Sequence, residues 1–531
     1  MEKLRGMKVT IVGSGPSGVS AAWPLVKAGA EVQMLDAGRV SATVANIERP
    51  SLDKLRQGRH NTWHHLLQSD LSGLRETGET SPKIRCATPA GFNDHYLRVN
   101  GIRTTDYMAV GALAVGGLSN VWGANVPAFD QADLDGFPFD IADLKTSYDS
   151  IAKRIGISGE DDDQLVNGEP VPSQAALPLT GVAKAAYGRF RASDKSTKLA
   201  MSIMRRAVLS HDKDGRQACD QGGACIWGCP RGAVYNSSFD VERLKQFPNF
   251  TFRPAQQVNQ LERKSDTSYI LQILDRDTGT EYSIGTEILV LAAGTLPSTR
   301  LVLGLQGRYN EEIRLLTTPG CVAAFSMPSK LFKPLPDKLF GLGQLGLRLQ
   351  LSKDPNDYVY GLLFDGAALP VPDLIAGMSL TRVGAFRMIR FLLPSLAVIL
   401  FNFPGEYSHC HVTLSRTKDR EMDDLHVTGG HTIGFEALAH RAVNEVVRDL
   451  RKTGLYKLPM STQIYGPGAV NHHAGTLPMG AATSMFGEIK GTAGLFVVDG
   501  SVLNRLPAKN HTFTVMANAD RIGRYIARQT A

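Results

Sequence analysis

Gly13, Gly15 and Gly18 stand at the spacing Gly-x-Gly-x-x-Gly, and Asp36 follows about 20 residues on. Such a loop serves a dinucleotide. The first glycine makes a tight turn, the second lets the backbone reach a pyrophosphate at a helix N-terminus, and the third lets helix and strand pack closely. An acid at the end of the following strand binds a ribose. The motif alone does not choose between dinucleotides. A second cluster, Cys219-Asp220-Gln221-Gly222-Gly223-Ala224-Cys225-Ile226-Trp227-Gly228-Cys229-Pro230, brings three thiols together. Cysteine before proline at the end of a cluster is a pattern of iron–sulfur ligation. A fourth ligand would have to come from Cys86, Cys321 or Cys410, all far away in sequence. A tight loop packed by Trp227 is the plainer reading, and no metal is expected.

The glycine loop needs a strand before it and a helix behind it. Residues 8–12 read as a buried strand, a helix follows to about Ala28, and 31–35 read as a second strand ending at Asp36. Pro24 inside that helix predicts a kink or an early end. This βαβ unit predicts a parallel, doubly wound sheet. Residues 287–293, ending at Gly294, and 496–499 read as further short buried strands, and 511–529 as a closing helix. Dinucleotide-type segments therefore lie at the start, middle and end of the chain. Between them, 40–100 are polar and irregular, and 139–154 form an amphipathic helix capped by Asp140. Residues 160–215 carry no clear period, and 249–275 alternate like a half-exposed β-meander. Strand-like runs fill 318–415, with an apolar, arginine-studded insert at 369–403, and 431–453 read as helical.

A chain of 531 residues has room for roughly two to four domains, enough to bury a large cofactor and a substrate. Its composition, 43% hydrophobic and 21% charged, is that of a soluble globular protein. The net charge of +7 is modest and no Lys/Arg run appears, so nucleic acid is not an expected partner. Six cysteines make no disulfide framework. Met1–Gly6 lead straight into a strand without an apolar leader, so a cytoplasmic location is the expectation. The longest apolar stretch, Phe391–Phe403, is broken by Pro394 and too short to span a bilayer.

Four further segments resemble the glucose–methanol–choline (GMC) oxidoreductase family. Gly116-Gly117-Leu118-Ser119-Asn120-Val121-Trp122-Gly123 is similar to its Gly-Gly-x-Ser loop, which passes the flavin ring. Ala292-Ala293-Gly294-Thr295-Leu296-Pro297-Ser298 is similar to its internal Ala-Gly-x-x-x-Ser signature. Asn471-His472-His473-Ala474-Gly475-Thr476-Leu477-Pro478-Met479-Gly480 resembles the segment carrying the catalytic histidine. Val498-Asp499-Gly500-Ser501, then Asn510-His511-Thr512-Phe513-Thr514, resemble the closing segment. The five motifs occur in the family's order.

The resemblance implies an α/β fold with an α+β substrate domain. A discontinuous Rossmann-like FAD-binding domain (1–125, 219–308 and 465–531) would receive an inserted antiparallel-sheet substrate domain (126–218 and 309–464). It implies FAD contacts from Gly13, Gly15, Ser17, Gly18, Asp36, Gly117, Ser119, Asn120, Trp122, Gly123, Ala293, Gly294, Asp499, Gly500 and Thr512. Some members bind FAD covalently through a histidine in the Gly-Gly-x-Ser loop. Val121 takes that place here, so the resemblance implies non-covalent FAD.

Taking a hydride from a carbinol carbon requires a base for the hydroxyl proton, and histidine suits that task. A second donor should hold the developing alkoxide. His472 is the candidate base, standing three residues before Gly475, with His473 its neighbour. Asn510 is the candidate partner and His511 the alternative, because the family usually reads Asn-Pro there. Loose similarity of the Ser-Asn-Val-Trp-Gly and Asn-His-His segments to sugar-oxidising members points to a secondary, sugar-type hydroxyl. The electron acceptor, oxygen, a quinone or another, stays open. A flavin lyase or isomerase and an inactive FAD-stabilised scaffold are the other readings. Arg382, Arg387 and Arg390 lie amid apolar residues in 381–401. That stretch is expected to be a helix bent at Pro394, bordering the active-site entrance and touching a membrane surface or a second subunit.

Overall fold

Five short strands from distant parts of the chain make one parallel sheet, in the order Leu495–Val497, Ile288–Leu291, Lys8–Val12, Glu31–Leu35 and Phe250–Arg253. The computed structural model describes residues 8–39, 52–57, 83, 96–160, 172–193, 198–378, 380–417 and 422–529. The expected meander at 249–275 holds from Gln256 onward and is corrected at its start. Phe250–Arg253 completes the parallel sheet, and the chain then turns into a separate antiparallel sheet of Gln256–Ser265, Ser268–Asp275 and Glu281–Thr286.

The helix Pro16–Lys27 leaves the first strand through the glycine loop and continues past Pro24. It packs against the closing helix Thr512–Gln529, so tightly that a Cβ on Gly523 would strike the Ala21 backbone. The amphipathic helix Ile141–Ile155 starts as the sequence requires. The Asp140 carboxylate accepts from the Ala142 and Asp143 amides, closing a capping box. The stretch without a period conceals a helix, Gly181–Ala192, and a strand, Leu199–Ile203.

A second, antiparallel sheet of seven strands stands across from the first. Its central strands are Gly320–Ser326, Leu396–Asn402, Tyr358–Asp365 and Leu345–Gln350. One face is buried under the helices Phe435–Leu450 and Gly181–Ala192, where Phe325, Phe401, Ala439 and Val443 pack together. The insert departs from the single bent helix expected. Arg382–Leu392 is helical, Leu393–Ser395 makes one tighter turn at Pro394, and the following apolar run is a buried strand inside this sheet. Any surface contact by the insert is therefore confined to the residues before Leu393.

A third, mixed sheet runs His473–Ala474, Ile313–Thr317, Cys410–Ser415, Asp424–Thr428 and Ile102–Thr105. Its edge strand begins at His473, directly after His472. The segment ahead of the closing helix is anchored differently. Lys509 Nζ, buried, sits 2.9 Å from Asp130 and 2.8 Å from Asp133. Tyr358 donates to Asp133 at 2.6 Å and Arg348 reaches Asp130 at 3.3 Å. Removing one member of a buried ion cluster strands its partners. Lys509→Ala is expected to cost about 3–5 kcal/mol of stability, read by chemical denaturation. A loss below about 1 kcal/mol would mean that the cluster behaves as a surface pair.

Candidate active site

At the carboxyl ends of the parallel strands the loops are tied to one another. Gly13 has a φ of +106°, and a Cβ there would run into the Ala292 backbone. Gly18 is held as closely against Gly13. Asp36 accepts from Ser14 N at 2.6 Å, Ser14 Oγ at 2.5 Å and Gly38 N at 2.6 Å. Ser14 Oγ in turn accepts from Gly116 N at 2.9 Å. Ser237 Oγ donates toward the carbonyls of Ser14 and Gly116, and Ser237 N donates to Ser119 Oγ. Asp499 accepts from Gly294 N at 3.1 Å, Ser298 Oγ at 2.5 Å and Ser501 Oγ at 2.6 Å. Burial pushes both carboxylic acids above their ordinary range, and these donors pull the other way.

A cavity of about 1130 Å³ runs from these loops to the second sheet. It is lined by Gly13, Gly15, Ser17, Asp36, Gly117, Ser119, Trp122, Gly123, Ala293, Gly294, Asp499, Gly500 and Thr512. Asn120 and Gly18 do not line it. The Asn120 amide folds back onto the Val115 and Gly117 carbonyls and closes its own turn. Val121 faces the cavity where a covalent link would have needed a nucleophile. The first helix has no side chain capping its N-terminus at Gly15, which leaves its leading amides toward the cavity. A Cβ on Gly15 or Gly294 would meet nothing within 4 Å. A bound dinucleotide fits that open, donor-rich cradle.

His472, His473, Asn510 and His511 all line the same cavity. Asn510 Nδ2 donates to His472 Nε2 at 3.2 Å. With that amide donating, Nε2 carries the lone pair, and Nδ1–H donates to Thr318 Oγ1 at 3.2 Å. The His511 ring lies edge-on to His472, centroids 4.9 Å apart. His473 is held apart from this group, its Nδ1 2.5 Å from the Tyr107 hydroxyl. The edge strand fixes both backbones. Thr317 Oγ1 donates to the His472 carbonyl and Thr295 Oγ1 to that of His473. Among the described residues, Asn510 Oδ1, His511 Nδ1 and His473 Nε2 have no partner.

Sequence reasoning missed Thr318, Tyr107, Ser237 and Lys83, whose Nζ donates to the Trp122 carbonyl at 2.7 Å inside the cavity. None of them stands in a motif. Ser14 lies inside the glycine loop, yet the pattern leaves its place unspecified. In the cysteine loop, Ile226 lines the cavity and Trp227 is buried against Leu52, Leu339 and Ile389. No group of three or more His, Cys, Asp or Glu among the described residues is placed to hold a metal ion. No helix among them is long and apolar enough to cross a membrane.

Residues 407–519 match the family described as GMC oxidoreductase, and residues 11–69 match an NAD(P)-binding Rossmann-like domain. Paromamine 6'-oxidase of Streptomyces fradiae is 26% identical over 310 residues, covering 56% of this chain and 49% of that protein, about half its length. The 6'''-hydroxyparomomycin C oxidase of Streptomyces lividus is 24% identical, covering 98% of this chain and 92% of its own. Pyridoxine 4-oxidase from Mesorbium loti shares the fold with a TM-score of 0.61 at 13% identity, covering 98% of this chain and 99% of that one.

Burial holds all three imidazoles neutral: His472 well below the ordinary range, His473 down to about 3 and His511 down to about 4. Repulsion from the neighbouring histidines adds to this for His472 and His473. In the unfolded chain each takes a proton near pH 6.5. The folded values are depressed, so stability is full above about pH 6.5 and falls as the pH drops below it. Each group adds about 1.4 kcal/mol per pH unit to that slope. His473→Gln should flatten the decline of unfolding free energy between about pH 6 and pH 4 by that amount. An unchanged slope would show that His473 is already protonated in the fold.

Proposed function

We propose that this chain is a GMC oxidoreductase that binds FAD non-covalently and oxidises a sugar-type alcohol. The observation that carries the reading is the contact between buried His472 and half-buried Asn510, facing a cavity continuous with the Gly13–Gly18 loop. The two oxidases named for paromamine and 6'''-hydroxyparomomycin C support a sugar-type hydroxyl. The FAD-binding part comprises 1–125, 219–308 and 465–531, and the substrate part 126–218 and 309–464.

His472 Nε2 accepts the hydroxyl proton once the Asn510 amide turns from that lone pair to the alcohol oxygen, because the lone pair carries no proton and burial keeps it so. Thr318 fixes the tautomer by accepting from Nδ1–H. Asn510 holds the alcohol oxygen with its amide N–H while negative charge develops there. His511, with its ring against His472, packs the carbinol into line. As the proton leaves the oxygen, the carbon releases a hydride and a carbonyl forms. Bound FAD would supply the two-electron acceptor for that hydride. The uncapped helix at Gly15 and the loops around Gly117 and Gly294 would hold it.

Anaerobic mixing with a panel of sugars and alcohols should bleach the yellow protein. His472→Ala should slow that bleaching by about 10²–10⁴-fold while the flavin stays bound. Wild-type rates in the variant would transfer the role to His473 or His511. Acid precipitation should release the yellow colour into the supernatant, since Val121 offers no atom for a covalent link. Colour retained in the pellet would overturn non-covalent attachment.

A further inference from the structure

The far wall of the cavity is one face of the seven-stranded sheet. Val322 is opposite Leu400, and Ala324 and Phe364 flank Val398, all on that face. Around Val398 this wall is apolar, which is poor lining for a bare sugar, and its polar side chain on that strand is Asn402, two residues beyond Leu400. Leu374, Leu380 and Leu392 of the insert carry it outward to the protein surface.

There the apolar character continues into solvent. The helix Arg382–Leu392 buries only Ala385 and Ile389. Its outer side presents Val383, Phe386 and Phe391, at 62%, 68% and 39% exposure, between the exposed Arg387 and Arg390. Phe332 joins them at 73% exposure, its ring 5.4 Å from that of Phe391 and its amide donating to the Phe391 carbonyl at 3.2 Å. Phe332 also has a φ of +58°, a region that bulky side chains rarely adopt. The neighbouring Lys330 and Lys333 add positive charge, and neither 328–333 nor 380–403 contains an Asp or Glu. A contiguous exposed apolar patch marks an interaction surface, and its interleaving with cations fits an anionic lipid face.

We infer that Phe332, Val383, Phe386, Phe391, Arg387 and Arg390 dock this protein on an anionic bilayer, and that the alcohol it oxidises is carried on an apolar chain drawn from that bilayer into the cavity. The substrate half of this inference rests on the alcohol oxidation proposed above. The sugar-type hydroxyl would reach His472, while its chain lies along the Val322–Leu400 wall and leaves the cavity beside Leu380, where the aromatic rim enters the lipid.

The FAD-loaded protein is to be floated with vesicles of phosphatidylcholine alone and with vesicles that also contain phosphatidylglycerol. It should rise with the anionic vesicles and much less with the neutral ones. Arg387→Gln with Arg390→Gln should weaken binding on the order of tenfold or more. Phe332→Ser with Phe386→Ser should abolish it. Both double variants should keep the wild-type melting temperature and the wild-type rate of flavin bleaching by the best soluble alcohol. A long-chain alkyl glycoside in anionic vesicles should show a KM at least about tenfold below that of its methyl counterpart. Wild-type protein that stays below the anionic vesicles overturns the docking. A mass of two chains that falls to one in the phenylalanine variant overturns it in favour of a second copy. Vesicle binding with equal KM values keeps the docking and overturns the lipid-carried substrate. Flavin that no alcohol bleaches defeats the oxidation reading and leaves the flotation result standing.

Discussion

Asp36 and Asp499 are buried carboxyl groups at the carboxyl ends of two parallel strands, and a charge in that position must be met by donors. Only the surrounding loops can supply them. Asp36 draws in Ser14 and Gly38, and Asp499 draws in Gly294, Ser298 and Ser501. Ser14 passes the constraint to Gly116, and Ser237 passes it to Ser119. The glycine loop and the Gly117 turn are therefore fixed relative to each other, and the Gly294 loop is fixed to the end of the last parallel strand. Their open sides form the cradle at the end of the sheet where ligands of such folds bind.

The proposed chemistry depends on a different kind of fixation. His472 hangs from the edge strand of the mixed sheet, held through Thr317. Asn510 follows Lys509, whose ammonium is locked between Asp130 and Asp133. The contact of 3.2 Å between them is where two separately anchored segments meet. Neither side chain needs to be ordered by its partner, which favours a preformed site. Burial then keeps the imidazole neutral and strengthens each polar contact made in the site.

The seven-stranded sheet divides its two faces between stability and function. One face is packed by Phe435–Leu450 and carries a closed core. The other, through Val322, Val398 and Leu400, is left to the cavity. Strand alternation makes this division possible, because neighbouring residues point to opposite faces. The helix Arg382–Leu392 sits at the end of that open face, with most of its side chains unpacked.

The sequence by itself determined the local elements and the motif chemistry. The strand Lys8–Val12, the glycine loop, the capped helix at Asp140 and the closing helix all follow from periodicity, caps and turn residues, which act over a few positions. The order of the five motifs likewise needed no coordinates. Tertiary structure alone decided which sheet Phe250–Arg253 joins and that the run after Pro394 is a central strand, since a short apolar run fits a buried strand or a buried helix equally well. It alone set Tyr107 against His473 and Thr318 against His472, pairs 366 and 154 residues apart. It also turned the Asn120 amide away from the cavity. The physical reason is that hydrogen-bond partners across such separations are chosen by the packing of whole sheets. A motif specifies the residues it contains, and the partners of those residues are specified only when the chain has closed around them.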